Sequence, residues 1–465
     1  MKRLLILIVL VLPGCGDREP EQTPNEVIKQ VNANGTITDP QAEILSKIEG
    51  PLYLNGLTSI SDKQAESLNN IRSISLNGLT SITDQQAKSL SKVKGISLQG
   101  ITSISDAQAE SLSKIKHLAL NGLNSITDAQ AESLSKVEGD LSLGGLTSIT
   151  DQQAESLGEV KYLRLNGLTS ITDAQAESLS RIERLQLSAP CFEQILSYQQ
   201  KIVDKINVSG TIDDGQITIL KSYKGGDLVL SGLTSITDEQ AEMLSKIEGT
   251  LYLNGLTSIT DAQAEMLSKI EGTLYLNGLT SITDEQAKFL IKVSSLNGLT
   301  TITDLQAKLI ITGPTVKLNS LTVISDEQAE SLSNAINLQL NGLTSITDSQ
   351  AERLKKTKSQ LQLNGLTNIS DEQAESLSYL LSLELNGLTS ISDKQAEMLS
   401  QVEMLSLDGL LTITDDQAEI LSKIRWLSLT GLTSITDLQV ESLSRVEQLI
   451  ISEDLQPLID KYKKQ

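Results

Sequence analysis

The chain is poor in the residues from which most active sites are made. Its 465 residues hold one histidine (His117), two cysteines, one tryptophan and two phenylalanines, and aromatics make up only 2%. A single imidazole cannot form a histidine metal cluster, and spacing names no partner for it, so His117 reads as a surface residue. There is no glycine-rich phosphate loop, Cys-x-x-Cys pair or nucleophile elbow. No catalytic residue, metal site or cofactor is therefore expected, and an enzyme would need a pocket that this composition does not supply. Long apolar runs are missing too: the longest, residues 4–12, has nine residues, against about 20 for a membrane-spanning helix. Positive charge is also short, with 38 Lys and Arg against 59 Asp and Glu and a net charge of −21. A chain this acidic is a poor partner for nucleic acid or an anionic membrane surface.

The N-terminus combines Lys2 and Arg3 with that short apolar run, the pattern of a secretory signal. Its end, Leu12-Pro13-Gly14-Cys15, resembles the lipobox of bacterial lipoproteins, with Pro13 departing from the usual small residue. The resemblance implies removal of residues 1–14, acylation of Cys15, and membrane contact through that lipid anchor alone. Asp17 stands one place later than the family's inner-membrane retention signal, which points to the outer membrane or cell surface. Residues 15–30, polar with two prolines, read as a tether. With Cys15 modified, Cys191 has no disulfide partner and reads as a buried thiol.

What the chain has in quantity is one phrase. Variants of LNGLTSITD recur, and their aspartate returns eighteen times, mostly 22 or 23 residues apart, from Asp39 to Asp437. Each unit changes period midway. Ile96-Ser97-Leu98 alternates like a very short strand with one buried face, whereas Ala131, Leu134 and Val137 fall three apart like one stripe of a short helix. The junction Thr83-Asp84-Gln85-Gln86 fits a capping box, with Asp84 in the first helical turn where the helix dipole favours negative charge. One such unit cannot bury its apolar side chains alone, so stacking is obligatory.

Val93, Ile96 and Leu98 match the first three leucines of the leucine-rich repeat, which this unit resembles, and "ITD" is similar to the cysteine-containing subtype. The match covers residues 31–187 and 206–451, with Leu or Ile (Leu79, Ile101, Leu123) at the usual Asn/Cys position. It implies an α/β solenoid, a horseshoe or superhelix with short parallel strands on the concave side and short helices on the convex side. The family's usual role implies an interaction surface. Two arrays are expected, residues 31–205 and 206–465, each ending in an atypical cap helix; one continuous superhelix is the alternative. The segment 291–314 is irregular: it reads as a damaged repeat ended early at Gly313-Pro314, or as a loop exposed for a partner.

The residue between the two inward apolar positions of each strand should face outward, and it is the most variable in the repeat. Tyr53, Arg164, Tyr252 and Tyr275 occupy it, while Tyr162, His117 and Trp426 stand two places earlier on the same face. A near-constant Asn follows, including Asn254 and Asn277; such an amide ladder could grip a repeating polymer or bond only to its own neighbours. The candidate ligand-binding residues are therefore Tyr53, Tyr162, Arg164, Tyr252, Asn254, Tyr275, Asn277 and Trp426. The expected ligand is a protein or polysaccharide, and a spacer or surface coat with no ligand is the alternative. Stacking brings the aspartates about 4.8 Å apart, but no Gly-rich calcium frame accompanies them.

Overall fold

The computed structural model describes residues 22–223, 226–293, 295–312 and 315–463. Cys15, the leader, the first part of the tether and Gly313-Pro314 lie outside the described residues. Two compact units meet in the chain at Tyr198 and Gln199. Each is an α/β solenoid of the leucine-rich-repeat kind, one short parallel strand and one short helix per repeat.

The first unit carries a seven-stranded sheet: β1 Pro51–Tyr53, β2 Ser73–Ser75, β3 Gly95–Ser97, β4 His117–Ala119, β5 Asp140–Ser142, β6 Tyr162–Leu165 and β7 Arg184–Leu187. The second carries β8 Leu228–Val229, β9 Thr250–Tyr252 and β10 Thr273–Tyr275 in one sheet. A further sheet holds β11 Thr315–Lys317, β12 Asn337–Gln339, β13 Gln360–Gln362, β14 Ser382–Glu384, β15 Met404–Ser406, β16 Trp426–Leu429 and β17 Gln448–Ile451. All neighbours pair parallel and in step with the repeat, as Leu52 pairs with Ile74 and Ile74 with Ile96. Those apolar residues point inward and are fully buried with the helix alanines and leucines, such as Ala109 and Leu112.

Every one of the eighteen repeat helices starts at its aspartate behind a complete capping box. At Thr83 the hydroxyl accepts from the Gln86 amide N–H at 3.1 Å, and Gln86 Oε1 accepts from the Thr83 N–H at 2.9 Å. The same two groups also reach the preceding repeat. Gln86 Nε2 donates to the Ile60 carbonyl at 2.8 Å, and Thr83 Oγ1 donates to Asp62 at 2.9 Å. The aspartate thus has a partner in the next repeat as well as a place on the helix dipole. After most strands a turn through glycine packs tightly: at Gln99-Gly100 a Cβ on Gly100 would stand 2.5 Å from the carbonyls of Asn77 and Leu79. Glycine leaves those turns room to stack at this spacing, although Ser320 takes its place after β11.

The ends correct two expectations. Residues 24–30, read as tether, belong to the helix Pro24–Asn34, which covers the first repeat with Val27 and Val31. Thr23 and Glu26 cap it and Pro24 sits at its first position, where a missing N–H costs nothing. The join expected between residues 205 and 206 lies inside one helix, Ala189–Ser209, which no Gly or Pro interrupts after Pro190. Its last turn repeats the first helix's device. Asn207 Oδ1 accepts from the Gly232 N–H and its Nδ2 donates to the Val229 carbonyl, as Asn32 does with Gly56 and Tyr53. Cys191 is fully buried, its Sγ 3.4 Å from the Leu168 carbonyl. The chain closes with the helix Gln456–Lys463.

At the irregular segment the helices Asp284–Phe289 and Asp304–Leu309 give way to 3-10 turns at Leu290–Lys292 and Ile310–Thr312. The strand between β10 and β11 shrinks to one parallel bridge, Tyr275 to Ser295. The capping boxes at Thr283 and Thr303 and the asparagine bonds from Asn277 through Asn297 to Asn319 persist. It is a shortened repeat, stacked in place.

Candidate functional site: the strand faces

On β1–β7 the two residues flanking each buried apolar residue form two outward columns. One runs Pro51, Ser73, Gly95, His117, Asp140, Tyr162, Arg184; the other runs Tyr53, Ser75, Ser97, Ala119, Ser142, Arg164, Gln186. Four consecutive small residues, Ser75 to Ser142, make the second column a trough. Tyr53, 59% exposed, closes one end and Arg164 the other. The resulting groove has a volume of ≈ 430 Å³. Its side carries a polar contact that the sequence did not name: His117 Nδ1 lies 3.0 Å from Asp140 Oδ2. The signal was available, because the two stand 23 residues apart at the same place in successive repeats. At β7 the Arg184 guanidinium lies over the Tyr162 ring, 4.9 Å from its centroid, with Lys161 at 5.4 Å.

The asparagines are engaged within the stack. Ser75, Ser97 and Ser142 donate to Oδ1 of Asn55, Asn77 and Asn121 at 2.5–2.7 Å. In the second unit, Oδ1 of Asn254 accepts from the Asn277 backbone N–H at 3.0 Å, and Asn277 serves Asn297 at 3.1 Å. The ladder continues through Asn341, Asn364 and Asn386 to Asp408. Between the two readings of the amide ladder, the bonds fall to neighbouring repeats. At the Asn/Cys position the apolar residue is buried, and the bonding usual there is carried by the asparagine two places earlier.

The remaining candidates fall in the second unit. Tyr252 and Tyr275 stack face to face, with centroids 4.4 Å apart and planes 5° from parallel. Loss of water on burial, then the negative charge of Asp227 beside its hydroxyl, holds the Tyr252 phenol above its ordinary pKa. Trp426 is half-buried on β16 between Met404 and Gln448, apart from that stack. Between them the outward column is tied up internally, with Glu384 accepting from Gln360, Gln362 and Asn364. The structure therefore gathers Tyr53 and Arg164 around one groove, and Tyr252 with Tyr275 in one stack.

No family model matches the chain, and neither does any curated protein. Among solved structures it is similar to TLR13 in the crystal structure of a TLR13–ssRNA13 complex, at 16% identity and a TM-score of 0.33. That match covers 82% of this chain, which spans 57% of the length of the TLR13 chain. It is also similar to an internalin (inlF) from Listeria monocytogenes, at 17% identity and a TM-score of 0.22, covering 91% of this chain and 93% of that one.

Proposed function

We propose that the protein is a non-catalytic binding scaffold of a bacterial cell envelope, held by a lipid on Cys15 and recognising a protein or polymeric ligand on its strand face. The groove between Tyr53 and Arg164 carries this proposal. It is floored by the small residues Ser75, Ser97, Ala119 and Ser142, and it is bounded by an aromatic ring and a guanidinium, side chains common at interface hot spots. A structural spacer is favoured by a different observation, the engagement of the asparagine and glutamine ladders inside the stack.

The test is a pull-down from envelope extracts with the full-length chain, beside a Tyr53→Ala/Arg164→Ala variant and a Tyr252→Ala/Tyr275→Ala variant. A ligand retained by the parent and lost by the first variant supports the groove; loss only with the second moves recognition to the tyrosine stack. Equal retention by all three moves recognition outside these residues, and retention by none leaves the spacer. Metabolic labelling with a fatty acid, abolished by Cys15→Ala, tests the anchor.

A further inference from the structure

The charge of the strand side in the first unit runs against the charge of the chain. The residues immediately preceding β2, β3, β4 and β6 are Arg72, Lys94, Lys116 and Lys161, all exposed. Parallel pairing puts the first three in consecutive repeats: the Gly95 N–H donates to the Arg72 carbonyl and the His117 N–H to the Lys94 carbonyl. Neighbouring backbones in such a row are about 4.8 Å apart. The row continues past Gly139, where a Cβ would meet Lys116 Cγ at 2.9 Å, so the glycine leaves space for the lysine stem. Arg72, Lys94 and Lys116 form no ion pair with any described residue, and only Lys161 has one, with Glu183 at 3.6 Å. Arg164 and Arg184, on the outward columns beyond, also lack a carboxylate partner among the described residues.

This is unusual in a chain with 59 acidic residues to choose from. Like charges in a row repel, and a structural ladder would alternate them. The second unit does so at the same position: Arg425 stands between Glu403 and Glu447, bonded to both at 2.7 and 3.2 Å. The equivalent places before β9 and β10 are glycines, Gly249 and Gly272. The basic row is thus peculiar to the repeats that also form the groove.

Resting on the binding reading above, we infer that the groove and its basic row receive an extended, acidic segment of a partner protein. Guanidinium forks at Arg164 and Arg184 match carboxylates in a two-point geometry, and the Arg184–Tyr162 contact holds one of them in place. The Asn55, Asn77 and Asn121 side chains accept through Oδ1, which leaves their Nδ2 groups to donate to carbonyls. From β1 to β6 the face measures about 24 Å, the length of roughly seven extended residues. A nucleic acid runs on past the row into the repulsion of a chain at −21, whereas a short acidic segment ends within it.

The test is fluorescence polarisation with labelled octaglutamate and the full-length chain, competed with polygalacturonate and with poly(U). Binding should weaken as salt rises. Lys94→Glu/Lys116→Glu should weaken it roughly tenfold or more. The control Lys114→Glu/Lys136→Glu, with the same charge change on the turns behind the helices, should leave it within about twofold. Lys94→Ala/Lys116→Ala supplies the same comparison should the reversal unfold, with folding followed by circular dichroism. Equal losses from row and control, or tighter binding of polygalacturonate or poly(U), overturn the inference. Absent octaglutamate binding with an envelope ligand still lost on Tyr53→Ala/Arg164→Ala sinks the acidic partner and spares the scaffold; absence of both sinks both.

Discussion

The glutamine of each capping box bonds in two directions, and its removal should cost more than removal of either residue before it. Gln153 is 7% exposed. Its Oε1 accepts from the Thr150 N–H at 3.0 Å, and its Nε2 donates to the buried Ile126 carbonyl of the previous repeat at 2.9 Å. Gln153→Ala removes both bonds and strands the carbonyl, for a loss of about 2–4 kcal/mol. Thr150→Ala removes one cap bond and a hydroxyl contact to Asp128, about 1 kcal/mol. Asp151→Ala removes a dipole contact and an exposed acceptor of Thr172, about 0.5 kcal/mol. Gln153→Glu keeps the acceptor, loses the donor and should fall between the alanine variants at Gln153 and Thr150. Urea titration gives the order, and hydrogen exchange at the Asp151–Leu157 helix localises it, since repeat arrays need not unfold in one step. Gln153→Ala within about 0.5 kcal/mol of the parent, or milder than Asp151→Ala, would refute the reasoning.

Gly100→Ala should destabilise by about 1–3 kcal/mol by forcing adjacent turns apart, while Gly50→Ala, with open space around it, should be near neutral in the same urea titrations. Burial pushes the Asp408 carboxyl up, but donors from Ser428, Thr430 and Ser406 outweigh it and hold the group below the ordinary aspartate value. A depressed folded pKa stabilises above the unfolded value near 3.8 and is lost as pH falls through the folded one. Asp408→Asn should therefore flatten the acid limb of the stability profile. Tyr198 runs the other way: burial, then its bond to Glu177, raises the phenol to about 12. That contribution is complete below pH 10 and is lost as pH climbs towards 12. Ultraviolet titration should show Tyr198, like Tyr252, ionising late, and Glu177→Gln should move the Tyr198 component alone earlier.

Features confined to one repeat were legible in the sequence. Thr83 and Gln86 announce their cap because both partners lie three residues apart, and the alternation at Ile96-Ser97-Leu98 announces a buried face. Bonds between repeats were not, because they join residues 21 and 26 apart and use a second end of a side chain already assigned a role. The Gln86 contact to Ile60 and the Thr83 contact to Asp62 are of this kind. The helix Pro24–Asn34 was hidden by composition: two prolines suggested a tether, although one of them sits at a helix start and Val27 and Val31 are four apart. His117–Asp140 and the row Arg72, Lys94, Lys116 emerge once the repeats are set in register, which fixes what stands beside what.

The asparagine ladder shows how far the stack alone explains the monotony. Its interior role needs only an acceptor, and Asp408 fills it by accepting from the Thr430 N–H at 2.9 Å. Aspartate nevertheless stands there singly, between Asn386 and Thr430. Successive carboxylates about 4.8 Å apart would repel by about 0.9 kcal/mol per neighbouring pair in water, comparable with the bond each would make. Neutral amides avoid that cost, so the constancy of asparagine follows without a ligand. Asn341→Asp alone should be tolerated, whereas changing Asn341, Asn364 and Asn386 together should destabilise more than three times the single change and recover in high salt. If the triple variant is only additive and insensitive to salt, repulsion does not select the amide, and the bonds that Nδ2 of Asn341 and Asn364 donate to Gln362 and Glu384 become the reason it is kept.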